Sequence, residues 1–232
     1  MTELPILFQD EWFVAINKPH NLLVHRTHIS EEKEHFALQI LKEQLGVWVT
    51  PCHRLDRKTS GVLLFALNKE AGKLAMKMFE NQEFEKEYIT LVRGIIAEEG
   101  EIDKPLAKEN GTLQEAFTRY KRLQTFEIPI EVSRYPTSRY SLVQVMPKTG
   151  RMHQIRRHMA SIRHYIIGDK VHGERHHNKM FEEKLGLNTM LLHANLLHFT
   201  HPITGKIIHI NAAMQSEFSD QLSAIRSLTI NC

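Results

Sequence analysis

Cysteine is scarce in this chain. Its 232 residues include two, Cys52 and Cys232, and no CxxC pair. That excludes a zinc ribbon and a disulfide scaffold, and it predicts a reducing, cytoplasmic setting. No apolar run approaches about 20 residues, so no membrane-spanning helix is expected. The opening Met1-Thr2-Glu3-Leu4-Pro5 has neither a basic stretch nor a long apolar core and does not read as a signal peptide. Charge of one sign is lacking too. The formal net charge is +3, so the chain is not a polycation. The 15 histidines lack metal-site spacing: there is no HExxH, His153 and His158 are five apart, and His176-His177 are adjacent. No metal site is expected on these spacings. Internal repeats, low-complexity tracts and long linkers are also missing.

What remains is an ordinary globular composition, 42% hydrophobic and 25% charged. The length suits one large domain, or one domain in two lobes. Leu4–Phe8 and Trp12–Asn17 read as strands around a Gln9-Asp10-Glu11 turn. Ser30 is a candidate cap for a helix over Glu34–Leu45, which Gly46 would stop. Asn68 starts a second helix, with Ala71, Leu74, Ala75, Met78 and Phe79 on one face. Glu85–Gly94 alternates as a strand, with Tyr88, Thr90 and Val92 opposite Ile89 and Leu91. Glu101–Gln114 is polar and reads as a loop. Ala116–Leu123 and Ser138–Met146 read as strands, and Arg151–Ile162 as a helix. Glu174–Gly186 reads as a surface helix or loop. Met190–Phe199 and Ile207–Asn211 form a hairpin, and Ser216 is a candidate cap for a last helix. Many strands joined mainly by turns predict an α+β fold with a largely antiparallel sheet.

Two stretches carry chemistry. The first is His53-Arg54-Leu55-Asp56-Arg57-Lys58-Thr59-Ser60-Gly61, followed at once by the apolar run Val62–Leu67. Polar residues running into a buried strand are held on a rigid element. Arg54 and Arg57 flank Asp56 and favour its ionised form, which can act as a nucleophile. No second carboxylate lies nearby, so a glycosidase-type pair has no local support. His53-Arg54-Leu55-Asp56 is similar to a kinase loop, but the accompanying asparagine and phosphate loop are missing. The second stretch is Gly150-Arg151-Met152-His153-Gln154-Ile155-Arg156-Arg157-His158, dense enough in arginine and histidine for phosphate contacts. The plainer alternatives are a structural ion pair for Asp56 and a solvated basic face for the arginines. Tyr88 is a core tyrosine or a ring for stacking on a base.

Taken together these residues resemble the RluA family of pseudouridine synthases. The Asp56 stretch resembles its catalytic motif. Asn17-Lys18-Pro19 with His25, Lys86-Glu87-Tyr88 with Val92 and Gly94, and Gly150–Arg156 resemble further family motifs in order. Gly168-Asp169, Leu192-His193-Ala194 and His201-Pro202 complete the pattern. Tyr165 and His172 depart from it, standing where Pro and Tyr are usual. Arg134–Tyr140 and Lys170–Gly173 are similar to the branch that modifies uridine 65 of tRNA.

The resemblance implies a pseudouridine synthase fold, a mixed and mostly antiparallel sheet in two lobes with flanking helices and a central RNA-binding cleft. It implies one catalytic domain over residues 1–232, without an S4 domain. The substrate would be uridine in RNA, with tRNA favoured and ribosomal RNA the alternative. Asp56 would be the nucleophile, on ribose C1′ or uracil C6. Arg156 would pair with it, and Tyr88 would stack on the uracil, supported by Ile155. Arg54 would fill the gap left by the extruded base. His53, Arg57, Arg151, His153 and Arg157 would contact RNA. A non-catalytic RNA-binding module and a metal-dependent hydrolase are the competing readings.

Overall fold

The computed structural model describes residues 3–25 and 36–230. Up to residue 86 the chain forms β1 (Ile6–Gln9), β2 (Phe13–Lys18), α1 (Ala37–Leu45), β3 (Thr50–Pro51), β4 (Ser60–Ala66) and α2 (Lys69–Glu80). There follow β5 (Glu85–Arg93), β6 (Glu99–Asp103), β7 (Leu106–Ala107), β8 (Leu113–Gln114), β9 (Phe117–Ile128) and β10 (Ser138–Pro147). Next come α3 (Gln154–Ser161) and α4 (Arg175–Leu185), then β11 (Leu192–Thr200), β12 (Ile207–Asn211) and α5 (Ser216–Leu228). This is the expected α+β class. The chain divides into two compact units. One holds the residues up to Lys86 together with Ala194–Met214; the other holds Glu87–His193 and the segment from Gln215 onward.

In the first unit the strand order is β1-β2-β4-β11, with β12 on β11 and β3 on β4. β2 runs antiparallel to β1 and to β4. All seven residues of β4 are buried. Val62, Leu64 and Ala66 pack with Phe13 and Ala15 of β2, with Ala71, Ala75 and Met78 of α2, and with Phe199 of β11. Each such large side chain contributes roughly 1.5–3 kcal/mol on burial. The Asn68 side chain accepts from the Ala71 N–H at 2.9 Å, capping α2 as its sequence foretells. Gly46, at φ 66°, ends α1 in the left-handed region. The candidate cap Ser30 and the start of the helix assigned from Glu34 lie outside the described residues.

In the second unit β5, β10, β9 and β6 pair in that order, antiparallel at each step. Both faces of this sheet are covered. Ile89, Leu91, Tyr140 and Leu142 meet Phe181 of α4 and Phe218, Leu222 and Ile225 of α5. Val92, Val143 and Val145 meet Ile155 and Met159 of α3. The alternation in β5 and β10 therefore divides two apolar cores rather than core from solvent.

Four expectations need correcting. Residues 101–114 are not a loop. They contribute β6 and the β7–β8 hairpin, and single buried residues, Ile102 and Leu106, anchor them. β9 runs five residues past Leu123, because Phe126 and Ile128 continue its buried alternation. The helix placed over 151–162 begins at Gln154. The Gln154 carboxamide oxygen accepts from the Arg151 N–H at 3.0 Å and the Thr149 hydroxyl at 2.6 Å, which folds the preceding residues into a turn. Ser216 is the first residue of α5 rather than its cap. Its hydroxyl donates to the Glu217 carboxylate at 3.2 Å instead of accepting a backbone N–H.

Candidate active site

Asp56 opens a turn closed by the Thr59 N–H donating to its carbonyl at 3.0 Å, immediately before β4. The turn is fastened from three sides. Lys18, at the end of β2, is fully buried, and its Nζ donates to the carbonyls of Pro19, Leu22 and Arg57 at 2.8, 2.9 and 3.2 Å. Burial pushes its pKa down to about 7, against the opposing pull of the Asp56 carboxylate. His53 Nε2 accepts from the Leu64 N–H at 3.1 Å, and its ring lies 5.1 Å from that of Phe79. Burial, helped by Lys86, pushes the His53 pKa to about 4, although a hydrogen bond with the Arg54 backbone opposes this. The ring is neutral at pH 7 and acts as a strut under the turn. Arg57 Nε donates to the Asn21 carbonyl at 3.3 Å. Arg54 is exposed.

Gly61 permits the turn to enter the sheet. It has φ 108°, and a Cβ there would stand 2.1 Å from the Ala194 carbonyl oxygen. Only glycine fits both conditions.

The second unit holds the remaining candidates. Tyr88 is half-buried on β5 and packs against the cluster that contains Ile155. Arg156 is buried rather than solvated. Its Nε and Nη2 meet the Asp169 carboxylate in a two-point pair at 2.7 and 2.8 Å. Asp169 Oδ1 also accepts from the N–H groups of Val171 and His172 at 2.9 and 3.1 Å. Burial opposes its charge, but Arg156 and these N–H groups outweigh burial and hold its carboxyl below the usual range. His153, in the left-handed region at φ 53°, places Nδ1 3.0 Å from His172 Nε2. Arg151 Nε donates to the Glu115 carbonyl at 2.9 Å and Arg157 Nη1 to the Ala107 carbonyl at 3.0 Å. His158 is fully buried between Thr118 Oγ1 and the Lys104 carbonyl, at 2.9 and 3.0 Å.

The structure thus gathers His53, Arg54, Asp56 and Arg57 in one unit, and Tyr88, Arg151, His153, Ile155, Arg156 and Arg157 in the other. It adds Lys18, Gln154, Asp169 and His172, whose polar roles the sequence pattern did not reveal. Lys18 was the most findable, as a charge ending an otherwise buried strand. Among the described residues no three or more His, Cys, Asp or Glu side chains gather as metal ligands. No described helix is long and apolar enough to cross a membrane.

Comparison with known proteins bears on this arrangement. The family described as RNA pseudouridylate synthase matches residues 12–161, which span the ten residues singled out in the sequence but not Asp169 or His172. The chain is 47% identical over 226 residues to the tRNA pseudouridine synthase C of Haemophilus ducreyi, covering 93% of each chain. It is 43% identical to that of Vibrio cholerae, covering 98% of this chain and 99% of the relative. In fold it is similar to human RNA pseudouridylate synthase domain containing 1, with TM-score 0.71 and 22% identity over 99% of this chain and 97% of the other. The domain containing 4 protein gives TM-score 0.73 at 23% identity, over 96% and 93%. On the extent of these matches, the chain belongs to the RNA pseudouridylate synthase family.

Proposed function

We propose that this protein isomerises uridine to pseudouridine in tRNA, at position 65. The observation that carries the reading is the seating of Asp56. Its turn is pinned to a fully buried strand and to a buried ammonium, so the carboxylate is presented with little freedom. The reaction conserves atoms: the C1′–N1 bond breaks, the base turns, a C1′–C5 bond forms, C5 gives up its proton and N1 takes one up. Asp56 acts as the nucleophile. Tyr88 stacks on the uracil, with Ile155 packed in the same cluster behind it. Arg156 balances the Asp56 charge, already oriented by Asp169. Exposed Arg54 occupies the gap left by the extruded base. Arg57, Arg151, His153 and Arg157 contribute to the RNA face. His53 acts from beneath the turn.

Residues 1–232 serve as a single catalytic domain, and a bond rearrangement without redox needs no cofactor. The relatives' names support tRNA as the substrate class, and the Arg134–Tyr140 resemblance supports the position.

Pseudouridine mapping of total RNA with and without the gene tests this. Loss at one tRNA position is expected. Loss confined to ribosomal RNA would move the substrate and keep the chemistry. In purified protein, Asp56→Asn should lower pseudouridine formation by at least about 1,000-fold with tRNA binding retained, the scale seen when a nucleophile is removed. Undiminished turnover would end the nucleophile assignment.

A further inference from the structure

The β7–β8 hairpin and the turn before α3 enclose a cleft of about 370 Å³. We propose that this cleft is a nucleotide subsite of the tRNA substrate, separate from the target uridine, and that it holds one phosphate and one unpaired base. The inference rests on the function proposed above and extends it to a second point of RNA recognition.

Three cations, Lys108, Arg151 and Arg157, line the cleft against one carboxylate, Glu109. That balance favours an anion. Its volume lies near the lower end of the roughly 300–1,000 Å³ typical of small-molecule pockets, room for a single nucleotide rather than a helix. The remaining lining suits a base. Met152 is 41% exposed and offers an apolar, polarisable face. Asn110 and Gln114 bring carboxamides, which both donate and accept.

The cleft is also built, not merely open. Lys108 and Thr112 close the hairpin by an N–H to carbonyl bond of 2.8 Å, and Gly111 turns its tip at φ 84°. The Asn110 carboxamide oxygen accepts from the Thr112 N–H at 3.1 Å. Arg157, Arg151 and His158 then bolt the hairpin and its flanks to α3 through the carbonyls of Ala107, Glu115 and Lys104. Each arginine carries five N–H donors, and these bolts engage one on each. The same arginines can therefore hold the wall and offer donors to a phosphate lining it. A solvated basic face would not need carbonyl partners on one hairpin and on both of its flanks.

The test uses the full chain and whole tRNA. Lys108 is exposed, so Lys108→Gln should fold with an unaltered melting curve. Loss of one phosphate contact should weaken tRNA binding several-fold. It should also reduce the slope of log affinity against log salt by about one. A photo-crosslinking residue at Gln114, in Asp56→Asn protein, should mark one nucleotide outside the target uridine. An unchanged slope with adducts scattered along the tRNA overturns the subsite. Pseudouridine formation by wild-type protein on the same tRNA, followed in parallel, reads the enzymatic assignment separately. Its absence would remove that assignment and leave the crosslink to decide the cleft.

Discussion

In the first unit Lys18 is buried at the end of a strand, and three main-chain carbonyls meet its ammonium. In the second, Arg156 is buried in a helix, and a carboxylate that is itself buried meets its guanidinium. Carbonyls bring partial charge, so desolvation dominates and the lysine's pKa falls to about 7. The carboxylate brings a full charge in two-point geometry, and the pair stays ionic. The difference teaches what each anchor can lose. A lysine held by carbonyls can shed its proton. An arginine held by an aspartate has no such exit and keeps its charge.

Removing that partner should have the largest effect on stability. Asp169→Ala takes the two-point carboxylate away from a buried guanidinium and should destabilise by about 3–5 kcal/mol in urea titration. Combining it with Arg156→Met should recover much of that loss; equal loss in single and double variants would mean that the pair is not the anchor. Lys18→Met should cost less, about 2–3 kcal/mol, because it strands buried carbonyls and takes a cation from the half-buried Asp56 rather than leaving a charge in the core. A loss equal to that of Asp169→Ala would erase the distinction between the anchors.

Acid should affect both units, and in the same direction. His53 in the first unit and His177 in the second are each pushed by burial to about 4. Their folded pKa lies below the unfolded value near 6.5, so the unfolded chain binds more protons between these limits. Their neutral burial therefore costs nothing above pH 6.5, and stability falls as pH drops from 6.5 towards 4. Lower stability at pH 5 than at pH 7, on the order of 1–2 kcal/mol per histidine and read as a lower urea midpoint, is expected. An unchanged midpoint would remove the neutral-strut role of His53. The smallest effect should come from Asn68→Ala, which deletes one capping bond in the first unit and should cost about 1 kcal/mol by thermal melting.

Periodicity made much of the fold legible. Asn68 and Gly46 marked helix ends because their chemistry is local. The β4 run was readable from its length and its flanks. The β6–β8 region was not, because strands of two to five residues with at most one buried side chain apiece show no period. In the site, Asp56 was legible because polar residues run straight into β4. The anchors were not. Lys18 reaches the Arg57 carbonyl 39 residues away, and Arg156 reaches Asp169 13 residues away. Nothing in a binary pattern says that a charged residue will be buried or names its partner. Arg156 and Arg157 sit side by side in sequence, yet one is buried in an ion pair and the other is half-exposed.

Because every residue of β4 is buried, its hydrophobic alternation does not tell one pairing offset from the next. A slip by one residue would still bury apolar side chains on both faces. Gly61 breaks the degeneracy. Shifted either way, the strand would bring Ser60 or Val62 to the place where a Cβ meets the Ala194 carbonyl at 2.1 Å. A residue with no side chain therefore serves as the locating pin of the sheet, and since it lies five positions after Asp56, it also sets where the carboxylate stands.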